Sequence, residues 1–357
     1  MDKNDGHSLC VFHHEEMIFS HNGKWLHPLF ELELFLSGRP IDPRELSVRD
    51  KIVGKAAAML MVRMGIRRVH ARTLSEPGLE VYRSFGVEVS YDLLVPRIQC
   101  QTETILENID DPEEASIFLL RRGKRDVDAA LIVESLTVRR GDRTVLANLS
   151  FAVTRGEKVI IQGDNGAGKS TFLKAVLGTA AKDAGAVIVA GRQMRQLPPE
   201  LLGYLGQHTK EGDIPVTAGE FLRLGALRWK ADRTEAQKRI SEAVAFAGIG
   251  AFLDRPMNTL SGGERRRTDL ARCFIQEPAV LLLDEPTAGL DKASRESVMK
   301  LLNAYAALHR SAIVMVTHES GALDLPGWRY HELKGKRLVP LSRPVTETVL
   351  EAVNGNI

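Results

Sequence analysis

Cysteine is scarce in this 357-residue sequence: Cys10, Cys100 and Cys273 stand far apart and form no C-x-x-C pair. That spacing excludes a disulfide framework and a zinc site made of cysteines alone, and it suits a reducing compartment. Long apolar runs are missing too. The longest, from Ala56 to Val62, has the length of a core helix and falls well short of the roughly 18 residues a membrane-spanning helix needs. No excess of charge exists: Lys+Arg 48 against Asp+Glu 46 leaves +2, so charge gives no argument for nucleic-acid binding and none is expected. Internal repeats and low-complexity tracts are absent. The first twenty residues are acidic and contain histidine, unlike a secretory signal, so none is expected. What remains, 44% hydrophobic and 26% charged, is an ordinary globular composition long enough for two domains.

The strongest signal is the stretch after Val159-Ile160-Ile161, a run that reads as the end of a buried strand. Gly163-Asp164-Asn165-Gly166-Ala167-Gly168-Lys169-Ser170 fits the phosphate-loop pattern G-x-x-x-x-G-K-[ST], with Thr171 next. Glycines let successive backbone N–H groups curl around an anion. Lys169 can reach the β- and γ-phosphates, and the Ser170 hydroxyl can ligate Mg²⁺. The following helix carries Phe172, Leu173, Val176 and Leu177 on one face and aims its positive end at the same phosphates. ATP and Mg²⁺ are therefore the expected cofactors.

Ahead of this stretch, residues 1–122 alternate strand and helix patterns and imply an α/β layer. Strands are expected at Leu9–Phe12, Met17–Ser20, Val69–Arg72 and Val87–Tyr91. Helices are expected from Pro28 to Leu36 with Gly38 as the stop, from a capping box Ser47-Val-Arg-Asp50 to Met64 ahead of Gly65, and from Pro77 to Phe85. Five histidines, His7, His13, His14, His21 and His27, crowd the start and raise the question of metal binding. Strand alternation puts His13 and His14 on opposite faces, which favours scattered exposed histidines over a shared site. The basic run from Arg121 to Arg125 marks the boundary, with residues 123–128 as a linker, 129–340 as the second domain and 341–357 as a C-terminal helix or tail, the helix falling at Pro344–Val353.

The N-terminal part resembles a small bacterial family with a cytidine-deaminase-like fold. The matching stretches begin at Asp50-Lys51-Ile52-Val53-Gly54-Lys55, at Ser75-Glu76-Pro77-Gly78 and at Leu94-Val95-Pro96. The resemblance implies a deaminase-like three-layer fold. Zinc deaminases need H-x-E and P-C-x-x-C. Cys100-Gln-Thr-Glu103 has no second cysteine, and no H-x-E opens the Asp50 segment, so a non-catalytic appendage is expected.

The second domain supplies further motifs in order. A hairpin spans Leu131–Val138 and Val145–Val153, and a strand ends at Gln207. Capping boxes open helices at Thr217–Glu220 and Thr234–Gln237, with Gly248 as the stop of the second. Leu260-Ser261-Gly262-Gly263-Glu264 opens another helix. Val280–Leu283 is a buried strand ending in Asp284-Glu285, with Asp291 just beyond. Ala312–Val316 ends in Thr317-His318, and a hairpin turns at Gly335. Together these residues are similar to the ATP-binding cassette family of ATPases over about 210 residues. The resemblance implies an α/β P-loop NTPase fold with a mixed sheet and a helical subdomain, and ATP hydrolysis as the activity. It gives Ser170, Asp284 and Gln207 to Mg²⁺, and implies that Glu285 acts on the attacking water. His318 would sense the γ-phosphate and hold Glu285, while Lys169 binds phosphate. Residues Leu260 to Glu264 form the signature, which would cap the nucleotide of a second chain head to tail, with Asp291 crossing the same interface. Arg140 stands where the family usually has an aromatic residue against adenine, a place a guanidinium plane can also fill. Glu264 replaces a frequent glutamine.

The family resemblance implies a transporter subunit, paired as a homodimer or with a second cassette and working with membrane permease subunits and a solute-binding protein. It would sit on the cytoplasmic face of the cell membrane. Asp213-Ile-Pro-Val-Thr217, Leu224-Gly225 and Ala247-Gly248-Ile249 look similar to cassettes of zinc and manganese importers, which puts metal-ion uptake first among the expected transport functions, with ABC transport of another cargo next to it. The alternative is a soluble cassette, in cluster assembly or on nucleic acid, regulated by its N-terminal domain.

Overall fold

The computed structural model describes residues 6–37, 39–123, 128–193, 201–207, 216–227, 232–318 and 325–341. The chain begins with β1 (Leu9–His13) and β2 (Glu16–His21), then α1 (His27–Leu36), β3 (Leu46–Val53), α2 (Lys55–Met64), β4 (Arg68–Ser75), α3 (Glu76–Ser84), β5 (Glu88–Val95), α4 (Gln101–Ile105) and α5 (Pro112–Arg122). Its five strands form one sheet in the order β2-β1-β3-β4-β5, antiparallel through β3 and parallel beyond. The segment from Ser47 to Asp50 is strand, not the start of a helix. Its apolar residues pair into the middle of the sheet, Val48 beside Val11 and Val69, and the helix opens only after Gly54. A Ser-x-x-Asp spacing suits a cap, but it does not outweigh two strand partners.

The second half contains β6 (Ala129–Arg140), β7 (Arg143–Thr154), β8 (Lys158–Gln162), α6 (Lys169–Val176), β9 (Ala184–Val189), β10 (Arg192–Gln193) and β11 (Leu202–Leu205). Then follow α7 (Ala218–Gly225), α8 (Arg233–Ala247), α9 (Gly262–Phe274), β12 (Val280–Asp284), α10 (Lys292–His309), β13 (Ala312–Thr317), β14 (Arg329–Lys334) and β15 (Arg337–Pro340). A four-stranded antiparallel sheet, β10-β9-β6-β7, lies beside a six-stranded sheet, β11-β12-β13-β8-β14-β15, that is parallel except for its last strand. Strands β12, β13 and β8 are buried from end to end, as a parallel sheet covered on both faces requires. Helix α8 starts two residues earlier than the Thr234 box implied, because the Asp232 carboxylate caps the Glu235 amide.

The two halves share a core. Ala129, Ile132 and Ala152 of β6 and β7 are buried in the same apolar cluster as Leu29, Met59 and Leu119. Helix α5 runs through Arg121 and Arg122, so the first two residues of the expected basic hinge are helical; residues 124–127 lie outside the described residues. So do Gly38, Asp213 to Pro215 and the helix expected at Pro344–Val353.

Candidate active site

Parallel pairing decides where the site lies. Residues Leu205, Asp284, Thr317 and Gln162 end neighbouring strands of one sheet, so the loops that follow them open on the same edge. In open α/β sheets that carboxyl edge is where ligands bind. The phosphate loop runs from Gln162 to α6. Gly168 has φ 111°, and a Cβ there would sit 2.9 Å from Val145, so the loop closes against β7 only with glycine. Lys169 is buried, and its ammonium donates to the carbonyls of Gly163 (2.6 Å) and Asp164 (2.9 Å), folded back into the loop it would leave to meet a phosphate. Burial lowers its pKa, while Glu285, Asp284 and Asp164 nearby pull it back up.

The acidic side of the site comes from β12. Asp284 is buried, which raises its pKa, and it accepts a hydrogen bond from the Ser170 side chain. A hydroxyl and a carboxylate held together beside a phosphate loop are the hard oxygen donors that Mg²⁺ takes. The next residue, Glu285, is 8% exposed and has φ 51°, the left-handed region that a non-glycine residue adopts only under constraint. Its amide donates to the carbonyl of Val316 on β13. Its Oε1 lies 2.6 Å from Nδ1 of His318, and its Oε2 faces the Gln207 amide at 3.4 Å. Three residues from three strand ends thus meet on one carboxylate.

Two further sequence-read elements lie apart from this cluster. Ser261 and Glu264 form a reciprocal capping box at the start of α9, with Ser261 and Gly262 exposed and Leu260 buried beneath. A Cβ on Gly263 would lie 2.6 Å from Ser294 Oγ, so the α9 tip packs on the start of α10. Asp291 caps that helix, accepting from the Ser294 amide and hydroxyl at 2.9 and 2.8 Å. The signature and Asp291 therefore share one exposed surface. Arg140 is exposed at the end of β6.

Sequence reasoning missed Arg266. It lies on the inner face of α9, 2% exposed, and its Nη2 donates to the Glu285 carbonyl at 3.2 Å. Within Arg265-Arg-Arg267 nothing distinguishes the buried arginine; only its place on the helix face separates it from its neighbours.

A family profile described as ABC transporter matches residues 146–288, and one described as a domain of unknown function, DUF1893, matches residues 3–120. The chain is 35% identical over 203 residues to the zinc import ATP-binding protein ZnuC of Halorhodospira halophila, spanning 55% of this chain and 71% of that protein. The chain belongs to the ATP-binding cassette transporter ATPases. As a member it binds ATP and hydrolyses it. The cassette is also 37% identical over 196 residues to the cobalt import ATP-binding protein CbiO of Rhodobacter capsulatus, covering 53% of this chain and 70% of that one. Among solved structures it resembles cbiO1 of Clostridium perfringens, part of the ABC transporter complex cbiONQ, with a TM-score of 0.57 and 27% identity over 64% of this chain and 96% of that one.

In the N-terminal unit, the segment Cys100–Glu103 has a structural task. The buried Glu103 carboxylate accepts from the amides of Lys55 (3.1 Å) and Ile98 (2.6 Å) and from the Ser75 hydroxyl, so it fills the N-terminus of α2 from within. His13 and His14, expected on opposite faces, lie together instead: β1 ends at His13, and His14 stands in the turn, where alternation no longer applies. Among the described residues no helix is long and apolar enough to cross a membrane.

Proposed function

We propose that this chain is the ATP-hydrolysing subunit of a divalent-metal importer, working as a head-to-tail pair bound to membrane permease subunits on the cytoplasmic face, with a solute-binding protein delivering the cargo. In this reading Glu285 takes the proton of the attacking water, a role worth ~10²–10⁴-fold in rate. His318 holds Glu285 through its Oε1, and Gln207 orients the water from the other side. Lys169 exchanges the Gly163 and Asp164 carbonyls for phosphate oxygens. Ser170 and Asp284, with Gln207, hold Mg²⁺, which neutralises charge on the phosphates when bound. The exposed α9 tip presents Ser261 and the amides of Gly262 and Gly263 to the nucleotide of the second chain, with Asp291 beside it.

The observation that carries the chemical part is the meeting of Gln207, Glu285 and His318 beside Lys169 and Asp284. The cargo rests on the relatives, whose names specify zinc and cobalt import. The Glu285→Gln chain should bind MgATP, accumulate as a dimer on size exclusion and hydrolyse ~10²–10⁴ times more slowly. An unaltered hydrolysis rate would remove Glu285 from the role of base. For the cargo, the chain should copurify with a multi-span membrane protein, and the reconstituted complex should take up Zn²⁺ or Co²⁺ only with hydrolysable ATP. A chain that copurifies with no membrane protein favours the soluble alternative.

A further inference from the structure

Two successive non-glycine residues take left-handed backbone at the tip of the first hairpin, His14 with φ 47° and Glu15 with φ 68°. They are the two loop residues between the closing pair His13 and Glu16. A two-residue turn of this hand ordinarily uses Asn-Gly or similar pairs. Here it carries an imidazole, and its curl brings the His14 ring to 4.2 Å from that of His13, centroid to centroid. On the other side of β1, His13 lies opposite Leu46 of β3, so Glu45 comes beside the turn. Glu45 Oε2 is 3.0 Å from Nε2 of His13 and 3.9 Å from Nε2 of His14. One ligand atom from each of the three lies within 4.8 Å of the others. A tetrahedral Zn²⁺ with bonds of about 2.0–2.1 Å sets its ligand atoms about 3.4 Å apart. Small side-chain rotations therefore close the set around an ion.

We propose that His13, His14 and Glu45 form a binding site for a divalent transition-metal ion of the Zn²⁺ or Co²⁺ class, with water completing the coordination. Two imidazoles and one carboxylate suit these ions and disfavour Mg²⁺ and Ca²⁺, which prefer oxygen. The side chains are 30%, 74% and 52% exposed, so an ion enters without opening the fold and exchanges with solvent. That suits an ion that comes and goes better than one that holds the fold together. Glu45 also closes the short helical turn Pro43–Glu45. Its neighbours Pro43 and Arg44 line an ~80 Å³ cavity shared with Trp328 and Arg329 of the cassette. Strand β14, which contains Arg329, pairs with β8, the strand that leads into the phosphate loop. An ion bound at Glu45 would sit one residue from this lining of the cassette interface. The site does not depend on the proposed metal import.

The test is Zn²⁺ titration of the full chain against a competing chelator, without a histidine tag or nucleotide and with Mg²⁺ in excess. Co²⁺ absorption reports the coordination. The parent should bind at least one ion more than His14→Asn, or the same ion at least tenfold more tightly, with d–d bands that weaken in His14→Asn and in Glu45→Gln. Asparagine tolerates the left-handed turn, so His14→Asn should keep the parent's circular dichroism and its ATP hydrolysis in chelator-treated buffer. Equal stoichiometry and affinity in parent and both variants would assign the ion to other surface histidines and overturn the site. Loss of the site leaves ATP-driven uptake untouched, and absence of uptake leaves the titration untouched, so the two failures are distinguishable.

Discussion

Glu285 is held on every side. Its amide, its carbonyl and both carboxylate oxygens have partners, on β13, α9, His318 and Gln207. The left-handed backbone survives because these partners over-determine it. The His318 bond is the short one, so His318→Ala should lower hydrolysis roughly 100-fold while ATP binding stays near the parent value. Steady-state hydrolysis beside equilibrium nucleotide binding checks this, and hydrolysis at the parent rate would deny His318 its positioning role. Lys158 makes a different point about single residues. At the start of β8 it is 2% exposed, with its ammonium 2.9 Å from Asn303 Oδ1 and above the Trp328 ring. Burial lowers its pKa to about 8. A folded value below the unfolded one means that the unfolded chain binds the extra proton between about pH 8 and 10.5. The penalty for holding Lys158 is therefore full below pH 8 and disappears as pH rises through that window. Urea unfolding of the parent and Lys158→Met at pH 7 and 10.5 should show their stability difference move by about 3 kcal/mol in favour of the parent at the higher pH. A difference that stays constant would mean that burial does not depress the Lys158 pKa and that the lysine keeps its proton in the fold as readily as in the unfolded chain.

Among the elements, α9 is the one that joins two surfaces. Its capped tip faces outward, and Arg266 on its inner side reaches the Glu285 carbonyl. Arg266 has Nε and Nη1 without hydrogen-bond partners among the described residues, so removing its charge should cost little stability. Arg266→Met should keep the melting temperature within a few degrees, keep ATP binding, and lower hydrolysis about tenfold by loosening Glu285. A large drop in melting temperature with hydrolysis per folded molecule unchanged would make Arg266 purely structural. Much of this element was legible from the sequence. The boxes at Thr217 and Ser261 are local codes, in which a hydroxyl and a carboxylate three residues apart satisfy each other's backbone, and both form. The phosphate loop and the ends of β12 and β13 were legible for the same reason. The Ser47–Asp50 segment misled because the same spacing also occurs in a strand, and only the pairing with β1 and β4 decides between them. Helix α8 misled by two residues, since Asp232 competes with Thr234 for the cap. His14 misled because alternation holds only while a strand lasts. Nothing local announces Arg266, whose partner lies 19 residues away in another element.

At the scale of the molecule, the N-terminal unit is welded to the cassette. Glu113 of α5 is fully buried and pairs with Arg63 of α2 at 3.2 Å, with Arg329 and with His331 of β14 at 3.1 Å. The partners are as far as 218 residues apart in sequence, so no pattern reading reaches them. Arg63 and Arg329 both also donate to the Ala152 carbonyl at 2.6 Å, and Glu157 forms an ion pair with Arg329 at 2.6 Å. Burial alone would raise the Glu113 pKa, but Arg329, Arg63 and the bond to His331 outweigh it and hold the carboxyl well below the usual range. Its contribution is therefore present at neutral pH and is lost only as pH falls through that depressed value. Glu113→Gln would leave two buried guanidinium groups short of charge, which should cost about 3–5 kcal/mol at pH 7. The same weld bears on truncation. A chain beginning at Asp128 would expose Ala129, Ile132 and Ala152 from the shared core and uncover Arg329 and His331. It should melt well below the full chain and aggregate, although every residue assigned to nucleotide binding remains. Adding residues 1–122 as a separate chain during refolding should restore the melting temperature and the hydrolysis rate together. If the truncated cassette melted like the parent and hydrolysed ATP at the same rate, the buried cluster would be a contact without consequence, and the N-terminal unit would have to influence the cassette by some other route.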